Sequence, residues 1–356
     1  MSRVVIMAGG TGGHVFPALA LARRLSADQV QVSWLGTRKG IEARVIPDAK
    51  IDIDYIRIEG VRGRGALGLL KAPFLIVAAL WQAISVLRKR QPDVVVGFGG
   101  FASGPGGLAA WLLRIPLVVH EQNAIAGTTN KILARFARVV ASGFADVLPG
   151  CRWVGNPVRD EIVALPAPAE RFAEREGEPL RLLVLGGSLG ARAINELVPK
   201  ALAGCAPALT FNVWHQCGAR HEEATLAGYL EHQVNARVEQ FIDDMASAYA
   251  WADVVICRAG ALTVAELAAV GLGALFVPLP SAIDDHQTHN AAVMAGAGAG
   301  ISIPQAQLNA ESLARVLYER LSDRRTLEQM ANAARTLHKT DAAGAVAQLT
   351  EELING

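Results

Sequence analysis

An apolar strand running into a glycine-rich turn occurs twice in this chain. The first copy, residues 3–14, reads Arg-Val-Val-Ile-Met-Ala-Gly-Gly-Thr-Gly-Gly-His, and the second, residues 181–191, reads Arg-Leu-Leu-Val-Leu-Gly-Gly-Ser-Leu-Gly-Ala. Glycine at such a turn lets the backbone approach a ligand closely. A helix starting just after it offers unpaired N–H groups and the positive end of its dipole to an anion. One copy near the start of each half predicts two similar nucleotide-binding-type domains facing a shared cleft. The length, 356 residues, suits two domains better than one core.

Strand-like and helix-like segments alternate on both sides of the middle. Strands are expected at 4–7, 30–35, 51–58, 93–97, 116–120 and 139–140, then at 182–185, 210–214, 254–257 and 274–277. Helices are expected at 17–25, 108–113, 191–202, 263–270 and 310–321, and through the last 30 residues. Such alternation implies an α/β fold with parallel sheets, whose ligands bind beyond the carboxyl ends of the strands. Residues 164–179 hold Pro166, Pro168 and Pro179 around a charged cluster and read as the connection between domains. The expected division is therefore 1–163 and 164–340, with a C-terminal helix at 341–356 packing back on the first domain.

A net charge of +1 gives no global electrostatic case for nucleic acid. Cys151, Cys205, Cys217 and Cys257 are scattered without metal-ligand spacing, as in a reducing compartment. The chain enters a strand within three residues, so no signal peptide is expected and a cytoplasmic enzyme is the default. The apolar stretch 72–87, broken by Gln82 and Ser85, falls short of the roughly 20 apolar residues that span a bilayer. Arg57, Arg62, Arg64 and Lys71 precede it, and Arg88, Lys89 and Arg90 follow. It reads either as a helix lying on an anionic membrane surface or as a buried helix with solvated ends.

The loops carry the chemistry. The first glycine turn fails the dinucleotide fingerprint, because Val15 stands where the last glycine is required, and no Walker lysine follows. That disfavours a nicotinamide-dependent oxidoreductase. His14, at the mouth of the turn, suits a general base for an attacking hydroxyl, or bonds locally at a helix start. Residues 97–107 hold six glycines in eleven positions, which is either a backbone pocket for phosphate or a tight helix–sheet crossing. With the polar run 120–130, these loops suggest a phosphate-bearing acceptor site in the first half. In the second half Ser188 is a phosphate ligand or a helix cap. The N–H groups of Ala261, Leu262 and Thr263 suit a diphosphate. Glu266 suits ribose hydroxyls, although Thr263 and Glu266 also have capping-box spacing. Residues 280–290 supply amide and imidazole donors for a sugar. Asp52-Ile53-Asp54 spells the metal-binding pattern of some sugar transferases. Both carboxylates are expected to face solvent without further ligands, so no metal site is expected.

Taken in order, the loops at 9–14, 97–107, 120–130, 155–159, 186–191, 241–245, 258–266 and 284–290 resemble those of the MurG family. These are the undecaprenyldiphospho-muramoylpentapeptide β-N-acetylglucosaminyltransferases of glycosyltransferase family 28, and the resemblance covers essentially the whole chain. It implies a GT-B fold, two Rossmann-like domains separated by a deep cleft. It implies inverting transfer of GlcNAc from UDP-GlcNAc to the C4 hydroxyl of MurNAc in lipid I, forming lipid II for peptidoglycan. On the matched positions His14 would be the base and Ile242 would take uracil through its backbone. Glu266 would hold the ribose. Ser188 and the turn Ala261, Leu262, Thr263, with Val264 and Ala265, would cradle the diphosphate. Arg159 would add charge from the interdomain side, and Gln287 would bind the GlcNAc hydroxyls. Thr11, Gly12, Gly13 and Asn123 would approach the donor across the cleft, and Gly99, Gly100, Ser103, Gly104, His120 and Glu121 would face the acceptor. The family implies no cofactor and no metal. Its partners would be UDP-GlcNAc, lipid I, the anionic cytoplasmic membrane surface and other cell-wall synthesis proteins, with no nucleic acid. The location implied is peripheral, on the cytoplasmic face of the bacterial inner membrane. One departure stands out: the family carries two adjacent glutamines in the sugar loop, and here His286 precedes Gln287. The rival readings are a UDP-GlcNAc 2-epimerase and a nucleotide-sugar-binding subunit without catalysis.

Overall fold

The computed structural model describes residues 1–58, 66–187, 190–205 and 208–356, with residues 66–72 and 283 described for the backbone only. The chain forms two units, Met1–Val158 together with Lys339–Gly356, and Arg159–His338.

The first unit is built on seven parallel strands: β1 (Arg3–Ala8), β2 (Gln31–Gly36), β3 (Asp52–Tyr55), β4 (Val94–Gly99), β5 (Leu117–Glu121), β6 (Val139–Ser142) and β7 (Arg152–Trp153). Their order is β3-β2-β1-β4-β5-β6-β7. The central strands are unbroken apolar runs, such as Val94-Val95-Val96, because helices cover both faces of the sheet. One face packs Leu19, Leu21 and Leu25 of helix Gly12–Ala27 with Val346 and Leu349 of helix Ala342–Asn355. The other packs Ala79, Ala83 and Leu87 of helix Ala66–Arg90 with Ala109 of helix Ser103–Leu112.

The second unit repeats the plan with β8 (Leu180–Leu185), β9 (Phe211–Gln216), β10 (Ala236–Glu239), β11 (Val254–Cys257), β12 (Gly273–Phe276) and β13 (Gly300–Ser302), ordered β10-β9-β8-β11-β12-β13. In each sheet the chain direction of strand addition reverses beside the strand that feeds a glycine turn, β1 or β8. That is where open α/β sheets bind ligands.

Several expectations are corrected. Residues 164–179 are not a free connection. Pro168 opens the short helix Pro168–Ala173, a position where its missing N–H costs nothing, and Phe172 is buried in the second core. Arg171 donates to the carbonyls of Val270 (3.0 Å) and Gly271 (2.6 Å), and Arg175 pairs with buried Asp253 at 2.7 Å. The chain passes between units after Val158 instead. Two helices also begin earlier than their apolar periodicity suggests, at Gly12 and Ser103, drawing glycines into their first turns. The Asp52 and Asp54 carboxylates do not both face solvent. Arg90 grips them at 2.9 and 2.6 Å, and the Asp54 side chain is only 17% exposed. Among the described residues no group of three His, Cys, Asp or Glu is placed to hold a metal.

Helix Ala66–Arg90 is only partly packed. Ala79, Ala83 and Leu87 lie on one stripe and are buried. Pro73 to Ala78 are all exposed, as is Trp81. Among the described residues no helix is long and apolar enough to cross a membrane. Arg62, Arg64 and the Lys71 side chain lie outside the described residues.

Candidate active site

In the first unit the chain leaves β1 and turns through Gly9 and Gly10 into a helix capped by Thr11. Gly12, Gly13 and His14 therefore form the first helical turn, and that turn carries no acidic residue. Its leading N–H groups have no intrahelical acceptor and present positive potential. A Cβ on Gly99 would lie 3.2 Å from the His14 imidazole, and one on Gly100 would collide with the Gly9 carbonyl. Both have positive φ, +98° and +82°. These two glycines are needed for the close approach of β4 to the turn.

His14 Nδ1 meets Gln122 Oε1 at 2.8 Å. The Gln122 amide nitrogen donates to the His120 carbonyl (2.8 Å) and to His120 Nδ1 (3.0 Å). His120 Nε2 in turn donates to the Gly155 carbonyl at 2.9 Å. With both amide hydrogens spent on His120, Gln122 Oε1 accepts, so His14 Nδ1 is the protonated nitrogen. Its Nε2 then carries the lone pair, the form a general base requires. Burial pushes His120 down to about 4, opposed by its bond to Gly155, so it stays neutral and keeps the relay in register. Gln122 was not singled out by the sequence reading.

The loop after β5 is held by Glu121. One carboxylate oxygen accepts from the Asn123 N–H (2.9 Å) and side-chain amide (3.2 Å), the other from Gly127 N–H (3.1 Å) and the Asn130 amide (2.8 Å). His120, Glu121 and Ser103 are all buried, and the Ser103 hydroxyl is shared by the carbonyls of Gly99 (2.7 Å) and Met7 (3.0 Å). The structure gives these three acceptor candidates internal partners. A Cβ on Gly106 would run into Met7 and one on Gly107 into Leu133, so those glycines serve a tight helix–sheet crossing. Gly104 lies on the same helix, half-buried.

Glu42 was also missed. It is fully buried, and its carboxylate accepts from Gly10 N–H (3.0 Å), Thr37 N–H (2.9 Å) and the Thr37 hydroxyl (2.8 Å). One side chain thus ties the first glycine turn to the loop after β2. A lone glutamate opening the short helix Glu42–Asp48 gives no sequence pattern to find it by.

In the second unit helix Ala261–Val270 follows β11 and is capped by Gly260, with Val264 N–H bonded to the Gly260 carbonyl at 2.9 Å. The N–H groups of Ala261, Leu262 and Thr263 precede the first intrahelical bond, while Val264 and Ala265 continue the turn. The expected capping box between Thr263 and Glu266 does not form, because the cap lies three residues before Thr263 and bonds through no side chain. Glu266 instead meets Arg159 Nη2 at 3.1 Å and accepts from the Tyr249 hydroxyl at 2.9 Å. Burial raises the Glu266 carboxyl above its ordinary range, opposed by Arg159. Gln287 and Asn290, on helix His286–Gly296, clamp the turn before this helix. Gln287 Oε1 accepts from Ala259 N–H (3.2 Å) and Leu279 N–H (2.9 Å), and Asn290 donates to the Ala259 carbonyl (3.0 Å). Only the Gln287 amide nitrogen can then serve a ligand. Ile242 is buried beyond β10. Gln216 brackets Gly187, accepting from its N–H at 2.9 Å and donating to its carbonyl at 3.1 Å, and Ser188 lies outside the described residues.

The family model of the glycosyltransferase family 28 N-terminal domain matches residues 4–142, and that of the family 28 C-terminal domain matches residues 181–346. The chain is 56% identical to the UDP-N-acetylglucosamine--N-acetylmuramyl-(pentapeptide) pyrophosphoryl-undecaprenol N-acetylglucosamine transferase of Cellvibrio japonicus, over 99% of each chain. It is 54% identical to the protein of the same name from Alkalilimnicola ehrlichii, over 98% of each. Among solved structures it is similar to the crystal structure of Acinetobacter baumannii MurG, with a TM-score of 0.87 and 43% identity over 99% of this chain and 100% of that one.

Proposed function

The chain belongs to glycosyltransferase family 28 and has its two-domain GT-B architecture, and on that premise we propose that it transfers GlcNAc from UDP-GlcNAc to the MurNAc C4 hydroxyl of lipid I, forming lipid II. The observation that carries the chemistry is the His14–Gln122 bond, which leaves His14 Nε2 as a proton acceptor beside a helix N-terminus.

The reaction is a single displacement. His14 Nε2 takes the C4 hydroxyl proton as the oxygen attacks the anomeric carbon, the bond from that carbon to UDP breaks, and configuration inverts. The transition state is oxocarbenium-like. Charge collects on the departing diphosphate, which the N–H groups of Ala261, Leu262 and Thr263 and the dipole of their helix stabilise, with Val264 and Ala265 completing the turn. Ser188 joins this cradle. Ribose hydroxyls donating to Glu266 take the place of Arg159, releasing that guanidinium to the leaving phosphate. Ile242 holds uracil through its backbone, the Gln287 amide nitrogen donates to the GlcNAc hydroxyls with His286 beside it, and Thr11, Gly12, Gly13 and Asn123 serve the transferred sugar. Donor binding belongs to Arg159–His338, and acceptor binding to the first unit around Gly99, Gly100 and Gly104. No metal takes part.

The enzyme sits peripherally on the cytoplasmic face of the inner membrane, where its lipid substrate is anchored and where other cell-wall synthesis proteins work. Support comes from the exposed apolar turn Pro73 to Ala78, with Arg88, Lys89 and Arg90 at the helix end.

The test is UDP release from UDP-GlcNAc in the presence of a chelator, with and without a water-soluble lipid I analogue. Release only with acceptor, giving a β-1,4-linked disaccharide, is expected. Acceptor-independent release or a C2 epimer would move the reading to an epimerase, and loss of turnover in chelator would restore a metal.

A further inference from the structure

The loop after β2, the end of β3 and helix Ala66–Arg90 border an open cavity of about 600 Å³ in the first unit. Arg38, Lys39 and Arg57 line it together with Tyr55, Leu75 and Gln82, and no carboxylate is among the described residues on its walls. Two of the lining residues are held by their neighbours on the walls. The Arg38 guanidinium lies over the Tyr55 ring, 4.7 Å from its centre, and the Arg57 backbone N–H donates to Gln82 Oε1 at 2.8 Å. A lined cavity of one sign concentrates ligands of the other.

We propose that this cavity binds the pyrophosphate of the prenyl-linked acceptor, a reading that rests on the acceptor assigned above. Four considerations select that occupant. Arg38 and Arg57 alone supply two positive charges, more than the single charge of a phosphodiester headgroup calls for and matched to the two charges of a pyrophosphate diester. The cavity wall at Thr37 is one carboxylate away from the catalytic turn, since Glu42 accepts from both Thr37 N–H and Gly10 N–H. In the acceptor, the attacking C4 hydroxyl and the pyrophosphate at C1 stand on opposite sides of one pyranose ring, so a sugar with its hydroxyl at His14 carries its phosphates to a neighbouring site. Finally Leu75 both lines the cavity and belongs to the exposed apolar turn of its helix, which gives the prenyl chain an apolar exit. The glycines at 106 and 107 leave no such room, because Met7 and Leu133 already occupy the space above them.

The experiment is steady-state kinetics at saturating UDP-GlcNAc with a short-chain, water-soluble acceptor and no membrane. Arg38→Ala and Arg57→Ala each should raise the acceptor KM about 10- to 100-fold, the worth of a hydrogen bond between charged groups. The limiting kcat and the donor KM should stay within about two-fold. Farnesyl pyrophosphate, which lacks the sugar, should compete with the acceptor, and its inhibition constant should rise by the same factor in Arg57→Ala. An unchanged acceptor KM overturns the proposal. So does an effect that appears only on phosphatidylglycerol vesicles, which would give the cavity to a phospholipid headgroup. If the wild-type chain shows no transfer at all, the parent reading fails, and calorimetric titration of farnesyl pyrophosphate into wild type and Arg57→Ala still decides the cavity.

Discussion

At the scale of residues, the proposed chemistry depends on which nitrogen of His14 carries the proton, and a residue 108 positions away decides it. Replacing His14 by Ala should lower kcat about 100- to 10,000-fold and leave the donor KM unchanged. Gln122→Leu keeps the imidazole but frees Nδ1, so the tautomer is no longer held. Its kcat should fall about ten-fold, the worth of one such bond. Both are read by UDP release with the soluble acceptor, and a Gln122→Leu enzyme as fast as wild type would sink the tautomer argument. His14 stood out in the sequence as a candidate because it follows a glycine turn directly. Gln122 and Glu42 were not, because their importance lies in partners brought close by parallel strand pairing.

At the scale of elements, helix Ala66–Arg90 does two jobs along its length. Successive helical residues turn by about 100°, so six consecutive exposed residues from Pro73 to Ala78 expose the whole circumference there, not one face. Further on, Ala79, Ala83 and Leu87 restore a buried stripe. Phe74 and Trp81 are 78% and 66% exposed, and each such side chain gains about 1.5–3 kcal/mol on burial. The double variant Phe74→Ser, Trp81→Ser should therefore lose about 100-fold or more in partitioning to anionic vesicles in a sedimentation assay. Its turnover of the soluble acceptor should persist, and undiminished vesicle binding would remove this helix from the membrane reading. The sequence left burial and a place on a membrane surface as alternatives for this segment; the structure buries one stripe of the helix and leaves 73–78 exposed.

At the scale of the whole molecule, each unit carries a buried neutral histidine. Burial pushes His120 down to about 4 and His215 down to about 3, the latter between Tyr229 and Asn195. Their unfolded values lie near 6.5. Below that pH the unfolded chain binds protons that the folded chain refuses, so stability is complete above about pH 6.5 and falls on acidification toward about 4. Each imidazole contributes a slope of about 1.4 kcal/mol per pH unit in that window. Urea unfolding at pH 7.5 and 5.0 should show the loss, and His215→Gln should flatten it for the second unit. A slope unchanged by that substitution would show that other groups carry the acid sensitivity.

The sequence by itself determined the alternation of strands and helices, the doubled glycine-turn plan and the family, because apolar period and glycine placement are local properties of a chain. It also marked His14, Glu266 and the turn at Ala261. The tertiary structure decided which alternative each residue takes. Thr263 and Glu266 have the spacing of a cap, yet Glu266 turns to Arg159 and Tyr249. The residues at 164–179 have the composition of a linker, yet Arg171 and Arg175 anchor them to carbonyls and to Asp253. His120, Glu121 and Ser103 look like ligand donors and bond inward. In each case the deciding partner is distant along the chain, and a buried polar group takes whatever partner the fold brings within reach, since leaving it unpaired costs about 1–3 kcal/mol.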